Sequence, residues 1–395
     1  MQYTSKDLMR LAKRYNNSKR PYLLVNPLQG KHLPVSPGAS LDMMGGLGEK
    51  LAARYPGTRL VVGFAETATA IGAVVASCFG DRCRYLHTTR EEGEGVERWV
   101  DFQEEHSHAT EQKLCGDRLA QWLEETPQVV FVDDELSTGK TLQNIVDQLR
   151  RQFPQMEGKK VVAASVLNRL SKEDDARLKA AGIDSCCLQK LPNEDYEKAV
   201  GQYQVQPAKN RQGEKGPLAA IEEFVAQGPG HRGEICRSPQ EKGFPDPRTG
   251  VMAGCYQSAC QELAAEVLPW AEGRISGDGR VLVLGTEECM YPALILGKAI
   301  EGSGAASLVR CHATTRSPIG ISAQDGYPIR SGEKIHSFYE EGRETYLYNL
   351  GRYDLAIVVS DGAKDGGKGL VDVARAVCRY GCGTLLYVQL GGKHV

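Results

Sequence analysis

Two stretches of this chain repeat one pattern, and that repetition limits the possible fold more than any other feature. "GFAETATAIGAVVASCFGDRCRYLHTTRE" starts at Gly63 and "GTEECMYPALILGKAIEGSGAASLVRCHATTRS" starts at Gly285. Each gives a Gly, a Glu shortly after, a helix, a strand, then a His and Thr-Thr-Arg. "EEHS" (Glu104 to Ser107) and "KIHS" (Lys334 to Ser337) follow at similar distances, and "VVFVDDELSTGKTL" then meets "AIVVSDGAKDGGKGL" with one residue inserted. Four features in the same order point to duplication. The 395 residues also exceed one ordinary core and suit two domains. The second copy has lost one carboxylate, since Ser360 stands where Asp133 does.

Within each copy, short runs rich in Val and Leu ("YLLVNP", "RLVVGFAE", "QVVFVDD", "KVVAASVL") alternate with segments of helical period. That alternation predicts an α/β fold, a parallel sheet wrapped by helices. Leu142, Ile145, Val146, Leu149 and Phe153 fall on one helical face, which Pro154 ends. From about Val205 to Asp246 the text turns polar and rich in Gly, Pro, Lys and Gln, with one short amphipathic segment, "LAAIEEFVAQ". The expected organisation is residues 1–204 as the first domain, 205–246 as a linker and 247–395 as a degenerate second copy.

Net charge is -2 with both signs interspersed, so no basic field exists to hold a nucleic acid or an anionic membrane. No apolar run approaches a membrane span, and the N-terminal residues lack a signal-peptide core, so a cytoplasmic location and a small-molecule partner are expected. Twelve cysteines are scattered without a CxxC pair; adjacent Cys186 and Cys187, inside an apolar run, are expected as reduced core residues.

The chemistry concentrates at "VVFVDDELSTGKTL". A strand that turns into a helix presents unpaired N–H groups at the positive end of the helix dipole, a seat for phosphate. Ser137, Thr138 and Thr141 add hydroxyls, Lys140 adds a cation, and Gly139 lets phosphate oxygens approach the backbone. Asp133 and Asp134 would repel that phosphate unless a neutral, hydroxylated group lay between, and a ribose 5-phosphate supplies one. Two competitors stand beside this reading. An ATP-binding P-loop shares Gly139, Lys140 and Thr141 but needs a Gly where Asp134 stands. Helix capping explains one Asp but not two.

The stretch resembles the phosphoribosyl-diphosphate signature of type I phosphoribosyltransferases. The first half as a whole resembles the orotate-phosphoribosyltransferase-like branch encoded with bacterial tellurite-resistance and stress operons, and "VNPLQGKHLPVSP" and "EEHSHAT" fit it. The second half resembles the companion TRSP domain, whose naming motif stands at Thr315, Arg316, Ser317 and Pro318. The resemblance implies two Rossmann-like parallel-sheet domains packed as a pseudo-dimer. It also implies Mg2+-dependent transfer of a 5-phosphoribosyl group from phosphoribosyl diphosphate to a small nitrogenous acceptor, giving a nucleotide-like metabolite. No dedicated protein metal cage is expected, because Mg2+ binds through substrate oxygens and water.

By the same resemblance Ala65, Glu66 and Thr67 lie in the diphosphate loop, with a plain strand-helix turn as the alternative. Arg90 opens a mobile hood reaching to Thr110, or a solvated loop. Asn168 and Arg169 lie near the acceptor, and Asp133 and Asp134 hold the ribose. In orotate-type enzymes a partner-subunit loop supplies cations to the diphosphate, so Arg316, the counterpart of Arg90, is expected to reach across the pseudo-dimer; a salt bridge within its own half is the alternative. Two other functional classes stay open: a non-catalytic sensor of nucleotide or donor, and a bifunctional protein with separate chemistry in the second half.

Overall fold

The computed structural model describes residues 3–93, 95–102, 112–192, 194–226, 243–362 and 366–390. The first half runs α1 (Ser5–Leu8), β1 (Arg10–Lys13), β2 (Tyr22–Val25), α2 (Pro37–Arg54), β3 (Leu60–Gly63), α3 (Thr69–Ser77), β4 (Arg84–His87), β5 (Trp99–Phe102), β6 (Gln112–Cys115), α4 (Leu119–Glu124), β7 (Gln128–Leu136), α5 (Lys140–Gln152), β8 (Lys160–Asn168), α6 (Lys172–Ala180), β9 (Ile183–Lys190) and α7 (Tyr196–Gly201). The second runs β10 (Lys209–Asn210), β11 (Ala220–Ala226), β12 (Val251–Met252), α8 (Ala253–Glu272), β13 (Arg280–Gly285), α9 (Tyr291–Ser303), β14 (Leu308–Ala313), β15 (Gly332–His336), β16 (Glu344–Tyr348), β17 (Leu355–Ser360), α10 (Gly367–Arg379) and β18 (Thr384–Leu390).

Each half carries a five-stranded parallel core, ordered β4-β3-β7-β8-β9 in the first and β14-β13-β17-β18-β11 in the second. The orders correspond strand for strand. One connection differs: edge strand β9 follows β8, whereas its counterpart β11 precedes the rest of its sheet. The stretch expected as a linker therefore supplies a strand of the second sheet, Ala220–Ala226 paired along Thr384–Leu390, and Gln206 bridges to Ile321. An edge strand is covered less completely than a central one, so "AIEEFVA" mixes Glu with Ile, Phe and Val and lacks the continuous apolar run of its neighbours.

The α5 face is buried as its spacing predicts, with Leu142, Ile145, Val146 and Leu149 inside, each stabilising by roughly 1.5–3 kcal/mol. Cys186 and Cys187 are free thiols, the first buried, while Cys255 is disulfide-bonded, a bridge that the scatter of cysteines did not announce. No helix among the described residues is long and apolar enough to cross a membrane.

The halves exchange equivalent parts. Helix α2 packs on α9 and its counterpart α8 packs on α3. The segment before α8 pairs as β12 with β4, and the segment before α2 bridges to β14 through Val35 and Cys311. One apolar cluster runs through both, joining Leu47 and Ile71 to Val283 and Leu296.

Candidate active site

The turn expected to seat a phosphate forms where β7 ends and α5 begins. Gly139 takes φ +73°, the left-handed conformation that favours Gly, and a Cβ there would stand 2.7 Å from Leu178 Cδ1. The turn is also held from outside: Arg177 Nη2 donates to the Thr138 carbonyl at 2.5 Å, and its Nη1 to Asp174 at 2.8 Å. Lys140 is exposed beside half-buried Ser137, Thr138 and Thr141, and its N–H donates to Thr138 Oγ1 at 3.3 Å.

Asp133 and Asp134 sit half-buried at the end of β7. The Asp134 N–H donates to Asp133 Oδ1 at 2.8 Å. Burial first and the Asp134 charge second push Asp133 well above the usual carboxylate range, and burial raises Asp134 as well. The β3–α3 loop meets this pair directly, because Thr67 Oγ1 donates to Asp134 Oδ1 at 2.8 Å. In the same loop Gln29 Nε2 donates to the Thr67 carbonyl at 2.6 Å, and Ala65 N–H donates to Thr88 Oγ1 at 2.8 Å. Ala65, Thr67, Asp133, Asp134 and the Gly139 turn thus share one corner of the sheet.

Glu66 turns the other way, into an ion cluster between the halves. Fully buried Lys31 pairs with Glu66 and donates to the carbonyls of Glu287 at 2.6 Å and Thr314 at 2.9 Å. Arg316 Nε donates to Glu287 Oε2 at 2.5 Å and lies 3.5 Å from Glu66 Oε2, while its Nη2 pairs with Glu91 and lies 3.6 Å from Glu288 Oε1. Arg316 is therefore both a salt bridge within its own half and a tie to the first. Arg343 Nη1 shares Glu91 Oε1 at 2.5 Å. Burial alone would raise Glu66, but Lys31 and Arg316 outweigh it and hold the carboxyl below its usual range; at Glu287 burial wins over Arg316, and the carboxyl is raised.

The cluster repeats across the halves. Arg316 N–H donates to Glu66 at 3.2 Å and Arg90 N–H to Glu288 at 3.4 Å, just as Glu287 N–H donates to Thr314 Oγ1 at 3.0 Å where Ala65 uses Thr88. In the second copy Asp361 follows Ser360, and its carboxylate is already taken: Arg248 Nη1 and the Tyr339 hydroxyl each bind it at 2.5 Å.

At the residues expected near the acceptor, Arg169 Nε donates to Glu135 at 2.5 Å, Arg20 Nη2 reaches both Glu135 oxygens at 2.8 and 2.7 Å, and the Tyr22 ring lies 5.2 Å from each guanidinium. Asn168 is buried, its amide oxygen accepting from Leu170 N–H at 3.0 Å and Lys190 Nζ at 2.8 Å. Strands β5 and β6 pair at either end of residues 103–111 in the segment expected as a hood; Glu94, His106 and His108 lie outside the described residues. Sequence reasoning missed Lys31, Glu91, Arg177, Glu287 and Arg343. Only Glu287–Glu288 left a trace, as a doubled acid where the first copy has Ala65–Glu66.

Residues 8–185 match the family PRTase_2, described as phosphoribosyl transferase, and residues 249–373 match the TRSP domain, described as C-terminal to it. Similar solved structures include adenine phosphoribosyltransferase from Trypanosoma brucei (14% identity over 46% of this chain and 76% of that one, TM-score 0.34). Orotate phosphoribosyltransferase from Aeropyrum pernix shows 16% identity over 50% and 95%, TM-score 0.30. Adenine phosphoribosyltransferase from Leishmania donovani shows 15% over 54% and 85%, TM-score 0.35. No curated protein matches the chain.

Proposed function

We propose that this chain, a phosphoribosyltransferase with a C-terminal TRSP domain, transfers a 5-phosphoribosyl group from phosphoribosyl diphosphate to a small nitrogenous acceptor and releases diphosphate. The observation that carries this reading is the 2.8 Å bond from Thr67 to Asp134, which joins the β3–α3 loop to the acid pair beside the Gly139 turn. Ribose hydroxyls would donate to Asp133 and Asp134, the 5-phosphate would sit in the turn from Ser137 to Thr141, and the diphosphate would lie along Ala65 to Thr67. Arg90 and Arg316 are assigned to the diphosphate side, Asn168 and Arg169 to the acceptor side. Ribosyl transfer builds positive charge at the anomeric carbon and negative charge on the leaving group. The chain's part is then chiefly to position and to stabilise charge.

Mg2+ fits this corner. Asp133 and Asp134 are hard oxygen donors whose charges are disfavoured by burial and by each other, an imbalance that a nearby dication relieves. Bound through the donor's oxygens, it would neutralise the diphosphate. The second half, with Asp361 capped, is read as a degenerate copy in a pseudo-dimer, supported by the reciprocal pairs Glu66–Arg316 and Glu288–Arg90. A role in making a nucleotide-like metabolite, linked to tellurite resistance and stress, is proposed with it and is supported by the resemblance to proteins encoded in such operons; a cytoplasmic location is proposed separately.

The deciding experiment incubates the protein with phosphoribosyl diphosphate, Mg2+ and a panel of nitrogenous bases and follows diphosphate release by phosphorus NMR. Base-dependent release is expected. No release with any base, together with no donor binding by calorimetry, would rule the assignment out.

A further inference from the structure

The second half holds a cavity of about 650 Å3 between the loop after β15 and the first turns of α10, within the size range of small-molecule sites. Phe338 and Val371 give it apolar walls, and His336, Lys368, Asp372 and Arg375 give it polar ones. The walls are built to fit. A Cβ at Gly369 would stand 2.9 Å from both the His336 carbonyl oxygen and Phe338 Cδ2, so glycine lets the loop seat on the helix.

The polar groups are unevenly used. Asp372, 2% exposed, accepts His336 N–H at 3.0 Å and pairs with His336 Nδ1 at 2.7 Å. That bond fixes the ring and leaves Nε2 as the remaining edge of the imidazole. The lining's other carboxylates have cations as well: Glu341 takes Lys368 at 2.5 Å, and Glu340 takes Arg343. Arg375 is the exception among the charged groups. Among the described residues its nearest carboxylate oxygen is 3.9 Å away on Asp372, beyond hydrogen-bond reach. A guanidinium carries five donors in a fork that suits phosphate. The unspent capacity of the cavity is thus a guanidinium and an imidazole edge beside apolar walls.

We propose that this cavity is a second small-molecule site that binds a phosphate monoester bearing an aromatic ring, of the size of a nucleoside monophosphate, with Arg375 and His336 on the phosphate and Phe338 and Val371 against the ring. It lies at the counterpart of the Gly139 turn, with Gly366, Gly367 and Lys368 in its lining, but it lacks a free acid pair for a ribose, since Ser360 replaces one acid and Arg248 and Tyr339 already occupy the Asp361 carboxylate. It also does not rest on the first half being active.

Calorimetry on the full chain carrying Asp133→Asn and Asp134→Asn, which disables the donor site, tests the proposal with AMP, ribose 5-phosphate and adenosine as probes. AMP is expected to bind at one site, with adenosine at least tenfold weaker. Arg375→Gln and, separately, His336→Asn in that background should each weaken AMP at least tenfold with little change in Tm. If Arg375→Gln fails to fold, His336→Asn alone decides. Absence of AMP binding, adenosine binding as tightly as AMP, or AMP affinity unmoved by the variants would each overturn it. A wild-type chain without transferase activity would leave these outcomes unaffected and would count only against the transferase assignment.

Discussion

Asp133 and Asp134 cost the folded chain stability, and the sign of that cost is testable. A carboxyl raised in the folded state binds its proton more tightly there than in the unfolded chain, so stability falls as pH climbs from about 4 through the raised value. The double change to Asn should therefore raise Tm at pH 7–8, by a degree or two or more, and the gain should shrink toward pH 4. Donor binding should be lost in the same protein. Scanning calorimetry across pH with a donor titration checks both, and a lower Tm at pH 8 would show that the acids stabilise the fold. Glu91 poses the opposite case. One of its oxygens serves both Arg316 and Arg343, in an irregular segment after β4. It stands as an internal anion on Arg316, which is assigned to the diphosphate side, and on Arg343 beside it. Glu91→Gln should lower the donor KM by up to about tenfold, equivalent to roughly 1.4 kcal/mol. An unchanged KM with a reduced Tm would mark Glu91 as a structural tie only.

At the scale of elements, the turn before α5 was legible because its requirements are local. A left-handed Gly, hydroxyls and a buried helical face are all written within a few residues of Asp133. Gly139→Ala should then cost about 1–2 kcal/mol from backbone conformation alone, plus the displacement of Leu178, and should weaken donor binding. Chemical denaturation and a donor titration measure the two effects, and a fully stable, fully binding Ala variant would refute the steric account. Strand β11 was hidden for the complementary reason. Its partner, β18, lies far along the chain, and an edge position leaves a mixed pattern that resembles any amphipathic stretch. The ion cluster was hidden in the same way: Lys31, Glu91, Glu287 and Arg343 meet only through tertiary structure, and Arg177 approaches Thr138 from a different helix. The duplicated text showed that two sheets exist, but not that each half lends a segment to the other's edge.

For the whole molecule, those exchanged segments decide whether the halves are separable. The first half presents to the second the faces of α2 and α3 and the edge of β4, and it buries Lys31 completely with two carbonyl partners, Glu287 and Thr314, from across the interface. Cut away, residues 1–204 would expose part of a continuous apolar cluster and would leave Lys31 with only Glu66 for a close charge partner. Each hydrogen bond that the buried ammonium would lose is worth about 1.5–3 kcal/mol, so the two together are comparable with the lower end of an ordinary domain's stability. The full chain should accordingly unfold in one calorimetric transition whose van't Hoff and measured enthalpies agree, despite carrying two sheets. Residues 1–204 expressed alone should aggregate or lack cooperative unfolding, and should show no transferase turnover. Two resolved transitions in the intact protein, or an isolated first half that folds and turns over at the wild-type rate, would show instead that the second half is a passenger and that Arg316 and its carboxylates are not needed for the site.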